Sequence, residues 1–346
     1  MSLTYREIKD QYNALRRTFN YITERKDDIL SFYRQANPRT LVCLGSGSSY
    51  CLCLSAELTA QIRLGIPATS FTAGDLMLNY KSYSKILHDS LLLAPSRSGN
   101  TSEVLMAVEN TRSIAETPVL GVVCTENSKM AQIADLTLEL PWAFDESVCQ
   151  TRSVVNLYAA NLLILAYLSN DRQLIADIKI AIETGNNLMN QWEESLEKVA
   201  YGDWSNAIVL ADGESSGLAG EGALALTEIA RVPSHYYHLL DVRHGPMVMI
   251  DHNSLVMISL SEEGFEYQRD LINDLLKKGA TVITYSELPS QPLPGVKLQV
   301  SSGHQLGAAE RGLHLIFLLQ MLAYYKAKQK KVNPDQPEGL SAWIKL

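Results

Sequence analysis

Short apolar runs alternate with segments of helical period along most of this sequence, and the series runs twice. In the first half TLVCL, SLLLAPS, VLGVVC and LTLEL each lead into such a segment, the last being VVNLYAANLLILAYL; in the second half NAIVLAD, SLVMISLS, TVITY and VKLQV follow the same plan. A strand that is apolar at every position has no solvent face, so it belongs in a parallel sheet covered by helices on both sides. Two series of similar length predict an internal duplication. The expected fold class is therefore α/β, with two flavodoxin-like three-layer α/β/α domains, each around a mostly parallel sheet, at residues 36–170 and 200–330. A helical segment at 1–35, where Tyr12, Leu15, Phe19 and Ile22 recur at helical steps, leads in, and a charged helical segment at 171–199 connects the two. The tail, 331–346, holds two prolines and a glycine and is expected to leave the body as an extended segment.

At 346 residues and 46% hydrophobic, the chain is long enough for two cores. A net charge of -8 and a pI near 5.5 offer no basic surface to neutralise a phosphate backbone, so nucleic acid is not an expected partner. No apolar run approaches a bilayer span, and MSLTYREIKD lacks the basic-then-apolar order of a secretory signal, so the expected location is the cytoplasm, with no membrane partner. Cys43, Cys51, Cys53, Cys124 and Cys149 are odd in number and form no CxxC pair; they read as reduced core residues rather than metal or redox ligands.

Two turns carry chemistry. The first strand ends in Leu44-Gly45-Ser46-Gly47-Ser48-Ser49-Tyr50, where a helix N-terminus with free N–H groups makes an anion seat, or the serines simply cap the helix. The turn after SLLLAP, Ser96-Arg97-Ser98-Gly99-Asn100-Thr101, gathers three hydroxyls and a guanidinium without the lysine of a nucleotide P-loop, which suits a phosphate monoester. Its plainer reading is a helix start capped by Ser98 or Thr101. Glu221 and Glu228 lie seven apart on one helical face beside Leu218, Ala225 and Ile229: either a carboxylate desolvated at the core boundary, as proton transfer near neutral pH requires, or a surface or buried structural pair. His235, His238, His252, His304 and His314 have no metal-ligand spacing and read as structural, whereas Gly245-Pro246 sets His244 on a sharply turned loop.

GSGSS at 45–49, SRSGNT at 96–101, GLAGEGALALTEIA at 217–230 and DVRHGPMVMID at 241–251 resemble the tandem sugar isomerase (SIS) domain family, from about Arg39 to the C-terminus. TRS at 151–153 and RHGP at 243–246 are similar to the tagatose-6-phosphate ketose/aldose isomerase-like proteins, some of them amino-sugar-phosphate deaminases. DQPEGL at 335–340 is similar to the tail of glucosamine-6-phosphate synthase. The resemblance implies a sugar-phosphate substrate held by Ser96, Ser98 and Thr101, with Arg97 facing it and Ser48 and Ser49 on phosphate or sugar hydroxyls. It implies proton transfer by Glu228, ring opening by His244 reaching into the other subunit of a homodimer with shared active sites, and no metal or redox cofactor.

Two departures stand out: Ala225 and Ala342 occupy positions where glucosamine-6-phosphate synthase has lysines, and Lys345 is the nearest substitute for the second. The sequence also begins about forty residues before its first motif, with Ser2 where a processed nucleophilic cysteine belongs, so glutamine-dependent synthesis is not expected. The resemblance leaves three activities open. They are isomerisation or deamination of a hexose or hexosamine 6-phosphate, deglycation of a phosphorylated Amadori compound through the same enediol-type step, and sugar-phosphate sensing without catalysis, for which the missing lysines speak.

Overall fold

The computed structural model describes residues 2–261, 263–287, 292–344 and 346. Two helices lead in, α1 (Leu3–Glu24) and α2 (Lys26–Ala36). The first sheet unit follows: β1 (Thr40–Gly45), α3 (Ser48–Thr59), β2 (Ala68–Thr72), α4 (Ala73–Asn79), α5 (Ser84–Leu87), β3 (Ser90–Ser96), α6 (Ser102–Arg112), β4 (Val119–Val123), α7 (Lys129–Ile133), β5 (Leu136–Glu139) and α8 (Arg152–Leu168). The long α9 (Arg172–Ala200) comes next. The second unit comprises β6 (Asn206–Leu210), α10 (Ser216–Ala230), β7 (Ser234–Tyr237), β8 (Ser254–Ser259), α11 (Phe265–Lys277), β9 (Thr281–Tyr285), β10 (Leu298–Val300) and α12 (Ala308–Lys330).

The sheets run β2-β1-β3-β4-β5 and β10-β9-β8-β6-β7, with every neighbouring pair parallel. Numbered within its own unit, each sheet has the order 2-1-3-4-5, the flavodoxin-like arrangement. The duplication is thus one of topology as well as of sequence pattern.

Strand alternation explains why the strands are apolar throughout. Leu41 and Cys43 of β1 and Leu91 and Leu93 of β3 face a central core, whereas Val42, Leu44, Leu92 and Ala94 face an outer one under α4 and α6. In the second sheet Ala207, Val209, Leu255 and Met257 enter the same central core, and Ile208, Leu210, Val256 and Ile258 a third one under α11. The two sheets therefore share a single inner helical layer built from α1, α3, α8, α9, α10 and α12. Cys43, Cys53, Cys124 and Cys149 are buried and unpaired, and Cys51 is half-buried and unpaired. Among the described residues, no helix is long and apolar enough to cross a membrane.

Close packing sets α10, which carries both glutamates, against α3. A Cβ on Gly217 would lie 2.3 Å from the carbonyl oxygen of Cys51 and 2.8 Å from the amide nitrogen of Ser55, and backbone cannot yield as a side-chain tip does. Gly217→Ala should therefore lower stability by about 1–3 kcal/mol, the usual overpacking cost, in spite of alanine's better helix propensity. Urea unfolding measures it; an equal or raised midpoint would show that the two helices have room to part.

The tail departs from expectation. It is non-helical, but it does not leave the body: Asp335 accepts the N–H groups of Leu3 and Thr4, both at 2.9 Å, at the start of α1, and its carbonyl accepts Val148 N–H at 2.9 Å. These free helix amides need an acceptor, and a carboxylate there also meets the positive end of the helix dipole.

Candidate active site

A cavity of about 200 Å³ opens at the C-terminal ends of β1 and β3, where the strand order reverses and open α/β sheets bind ligands. It brings together Ser48 and Ser49 from the β1–α3 turn, Ser96, Arg97, Ser98 and Thr101 from the β3–α6 turn, and Glu228 from α10 of the second unit. Among the described residues lining it, Arg97 is the one cation and Glu228 the one carboxylate.

The β3–α6 turn is held from within. Ser96 Oγ accepts Gly99 N–H at 3.0 Å, Ser98 Oγ accepts Asn100 N–H at 3.1 Å, and Asn100 Oδ1 accepts Lys129 N–H at 3.1 Å. Each serine uses its oxygen as acceptor, which leaves the hydroxyl proton to donate to a ligand. Gly99 has φ +59°, and a Cβ there would lie 2.3 Å from Ser128 Oγ, so the turn closes only with glycine. Thr101 sits at the N-cap position of α6, yet its side chain makes no capping bond; the capping reading fails for the hydroxyl and leaves it for the cavity.

Arg97 is buried at 3% exposure, and its guanidinium donates from Nη1 to Ser147 O at 3.0 Å and from Nη2 to Ala342 O at 2.6 Å. The second bond fixes the tail over the cavity, aided by Ser102 N–H to Ile344 O at 3.3 Å and Leu346 N–H to Ser102 Oγ at 3.1 Å. Leu340, Ala342, Trp343 and Ile344 thereby line the cavity, as do Val148 and Gln150 of the β5–α8 loop. Sequence reasoning missed this wall. The DQPEGL likeness was its one signal for the tail, and the TRS likeness beside Gln150 its one signal for the loop.

Glu228 titrates high. Burial raises its carboxyl to about 7 while the Arg97 guanidinium pulls it down. Glu221, two turns away on the same face of α10 and 2% exposed, is pushed well above the carboxylate range by burial and then by Glu228, against a lowering hydrogen bond from the Ser48 hydroxyl. With Glu221 buried and Glu228 half-buried the pair is not a surface feature, and Glu221 Oε2 has no hydrogen-bond partner.

His244 is not brought into the cavity. It is exposed, outside the described lining residues, with its N–H on Asp241 O at 2.8 Å and Gly245 beside it at φ +126°. Val248 and Met249 on the same loop are 81% and 68% exposed. His314, by contrast, is fully buried between Tyr285 and the Ala181 carbonyl, and burial lowers it to about 4. Ala225 is buried and Ala342 meets Arg97 through its backbone; Lys345 lies outside the described residues. Among the described residues no group of three or more His, Cys, Asp or Glu is placed to hold a metal.

Replacing Ser98 and Thr101 together by alanine should weaken glucose 6-phosphate binding by more than tenfold. Each hydroxyl-to-phosphate bond is worth roughly 1.5–3 kcal/mol, and unphosphorylated glucose should lose far less. Calorimetry giving the same affinity as the parent protein would remove the phosphate seat from this turn.

Residues 201–297 match the family model for the SIS domain. Over 325 residues, 87% of this chain and 78% of the relative, the sequence is 29% identical to the D-galactosamine-6-phosphate deaminase AgaS of Shewanella sp. (strain ANA-3). It is 23% identical over 358 residues, 97% of this chain, to the isomerizing glutamine–fructose-6-phosphate aminotransferase of Salmonella typhi, of whose length it spans 57%. The tagatose-6-phosphate ketose/aldose isomerase structure from Escherichia coli superposes with a TM-score of 0.88 at 20% identity, covering 99% of this chain and 96% of the other. The glucosamine-6-phosphate deaminase structure from Thermotoga maritima gives 0.84 at 23%, covering 100% of both chains. At these identities the structural likeness is one of fold. The match to the SIS domain thus falls on the second unit, the same topology is repeated in the first, and the whole chain superposes on structures of this fold.

Proposed function

We propose that the cavity binds a hexose or hexosamine 6-phosphate and interconverts its aldose and ketose forms, with loss of the amine when the substrate carries one at C2. One observation carries this reading. A single half-buried carboxyl titrating near 7, Glu228, shares a cavity with a hydroxyl-rich helix start that can seat the phosphate. After ring opening, the ionised carboxylate takes the proton from C2 of the aldose and returns it to C1, passing through an enediol or, for a 2-amino sugar, an enaminol intermediate. For a hexosamine the product imine at C2 adds water and expels ammonia. Both serine turns then act by holding the phosphate, which fixes the sugar carbons against Glu228.

The 29% identity to a D-galactosamine-6-phosphate deaminase over most of both chains supports the deaminase form. The exposed His244 loop supports a homodimer in which that histidine opens the sugar ring in the partner's cavity, and a soluble cytoplasmic enzyme of this kind needs neither nucleic acid nor membrane. The proposed domains remain 36–170 and 200–330, joined by 171–199.

Ala225 and Ala342 favour a second reading, a sensor that binds the sugar phosphate and does not turn it over. Incubating the protein with glucosamine 6-phosphate, galactosamine 6-phosphate, fructose 6-phosphate plus ammonia, and fructoselysine 6-phosphate separates these readings. Ammonia from a hexosamine phosphate supports the deaminase, lysine release the deglycase, and tight binding without any product the sensor.

A further inference from the structure

The leading helix reaches the cavity through a continuous set of hydrogen bonds. Glu7 of α1, 5% exposed, accepts Glu146 N–H at 2.6 Å and Ser147 N–H at 3.2 Å, and it also accepts the Ser147 hydroxyl. The carbonyl of the same Ser147 accepts Nη1 of Arg97 at 3.0 Å, and Arg97 is the cation that opposes the effect of burial on Glu228. The far end of this loop is fixed separately: Asp145 accepts the N–H groups of Thr151, Arg152 and Ser153 at 2.9, 3.0 and 2.9 Å. Between the two carboxylates lie Val148 and Gln150, both on the cavity wall.

A carboxylate inside a helix-covered core is costly unless its hydrogen bonds are made, and an apolar side chain would fill such a space at less cost. Glu7 makes three bonds, all to a two-residue stretch whose next acceptor is the one that orients Arg97. A guanidinium on a long flexible stem keeps one direction only where fixed acceptors hold it. We propose that Glu7 is a positioning residue of the cavity: through Ser147 it holds the Arg97 guanidinium beside Glu228 and sets the wall at Val148 and Gln150.

The test follows Glu228 by carbon-13 NMR titration of its carboxyl in the full chain, assigned from its loss in Glu228→Gln. Glu228 faces Arg97, Glu221 on its own helix, and the thiols of Cys51 and Cys149, which burial keeps protonated. Of these charges, only Arg97 is tied to Glu7 by hydrogen bonds. Glu7→Ala should therefore move the Glu228 midpoint upward, as the guanidinium drifts away. Loss of the Glu7 charge alone would move it downward, so the sign separates the two effects. Glu7→Gln keeps an oxygen for both N–H groups and should return the midpoint most of the way. If Glu7→Ala does not fold, Glu7→Leu fills the space without an acceptor and is read in the same way.

Glucose 6-phosphate affinity, measured by calorimetry, should fall about tenfold in Glu7→Ala and recover in Glu7→Gln, the loss of roughly one charge-assisted bond. This second readout rests on the proposed function; the titration does not. A wild-type chain that binds no sugar phosphate counts against the function and leaves the titration to judge Glu7. A midpoint that stays in place or falls in Glu7→Ala overturns the inference.

Discussion

Glu228→Gln should lower kcat by roughly 10²- to 10⁴-fold while leaving sugar-phosphate affinity nearly unchanged, because the amide keeps the shape of the carboxyl and loses only its ability to accept a proton. Solvent deuterium should cease to enter the sugar at the carbon next to the carbonyl. The same variant has a stability signature of opposite sign. Glu228 titrates near 7 in the folded chain against an ordinary 4.5, so the folded state holds the extra proton between those values. The stability this contributes is complete below about pH 4.5 and is lost as pH rises through about 7, where a half-buried charge must form. Glutamine never ionises, so at about pH 8 the variant should melt above the wild type, with the two converging near pH 4. Glu310, also raised to about 7 by burial, keeps its own share of the slope, so the variant's pH dependence shrinks without vanishing. A variant that exchanges the proton at the wild-type rate and melts lower at every pH would make Glu228 a packing residue.

What the sequence disclosed follows from the kind of signal each feature leaves. Strands buried on both faces leave continuous apolar runs, so both sheets were legible. The strand β2, ATSFT, was not: it lies at the sheet edge, with one buried residue in five, and its two threonines and serine read as loop. The serine turns were legible because hydroxyls at a strand-to-helix junction are locally clustered. The tail was not, since what folds it back is a carboxylate, Asp335, meeting helix amides more than three hundred residues away.

The duplication also concealed a difference. In the second unit the turn corresponding to 45–49 places Glu214 at the helix start, and Arg63 from the first unit fills it, with Nε and Nη2 at 2.8 and 3.0 Å from the two carboxylate oxygens. Arg63 also donates to Asp171, at the cap of α9, at 2.9 Å. One switch point thus stays open for a ligand, and its counterpart is used to bind the two units together. Glu228 enters the open cavity from the unit whose own β6–α10 turn is occupied by Arg63.

Mixing Glu228→Gln protein with His244→Ala protein, each nearly inactive alone, should restore about a quarter of wild-type activity, because random exchange makes half the dimers mixed and each mixed dimer holds one intact site of two. The geometry motivates this. His244 is exposed and off its own cavity, on a loop turned by Gly245 at φ +126°, and Val248 and Met249 beside it present apolar surface of the kind an interface covers. If the ring enters a partner's cavity, it serves ring opening while Glu228 transfers the proton. His244→Ala should then act most severely on cyclic substrates, and an open-chain substrate should recover much of the lost rate. Light scattering and activity read on the same mixture decide the matter. A monomer at assay concentration, or mixed dimers confirmed by differential tagging that stay inactive, would return His244 to its own subunit or remove it from the reaction, while leaving the assignment of Glu228 to stand on its proton exchange alone.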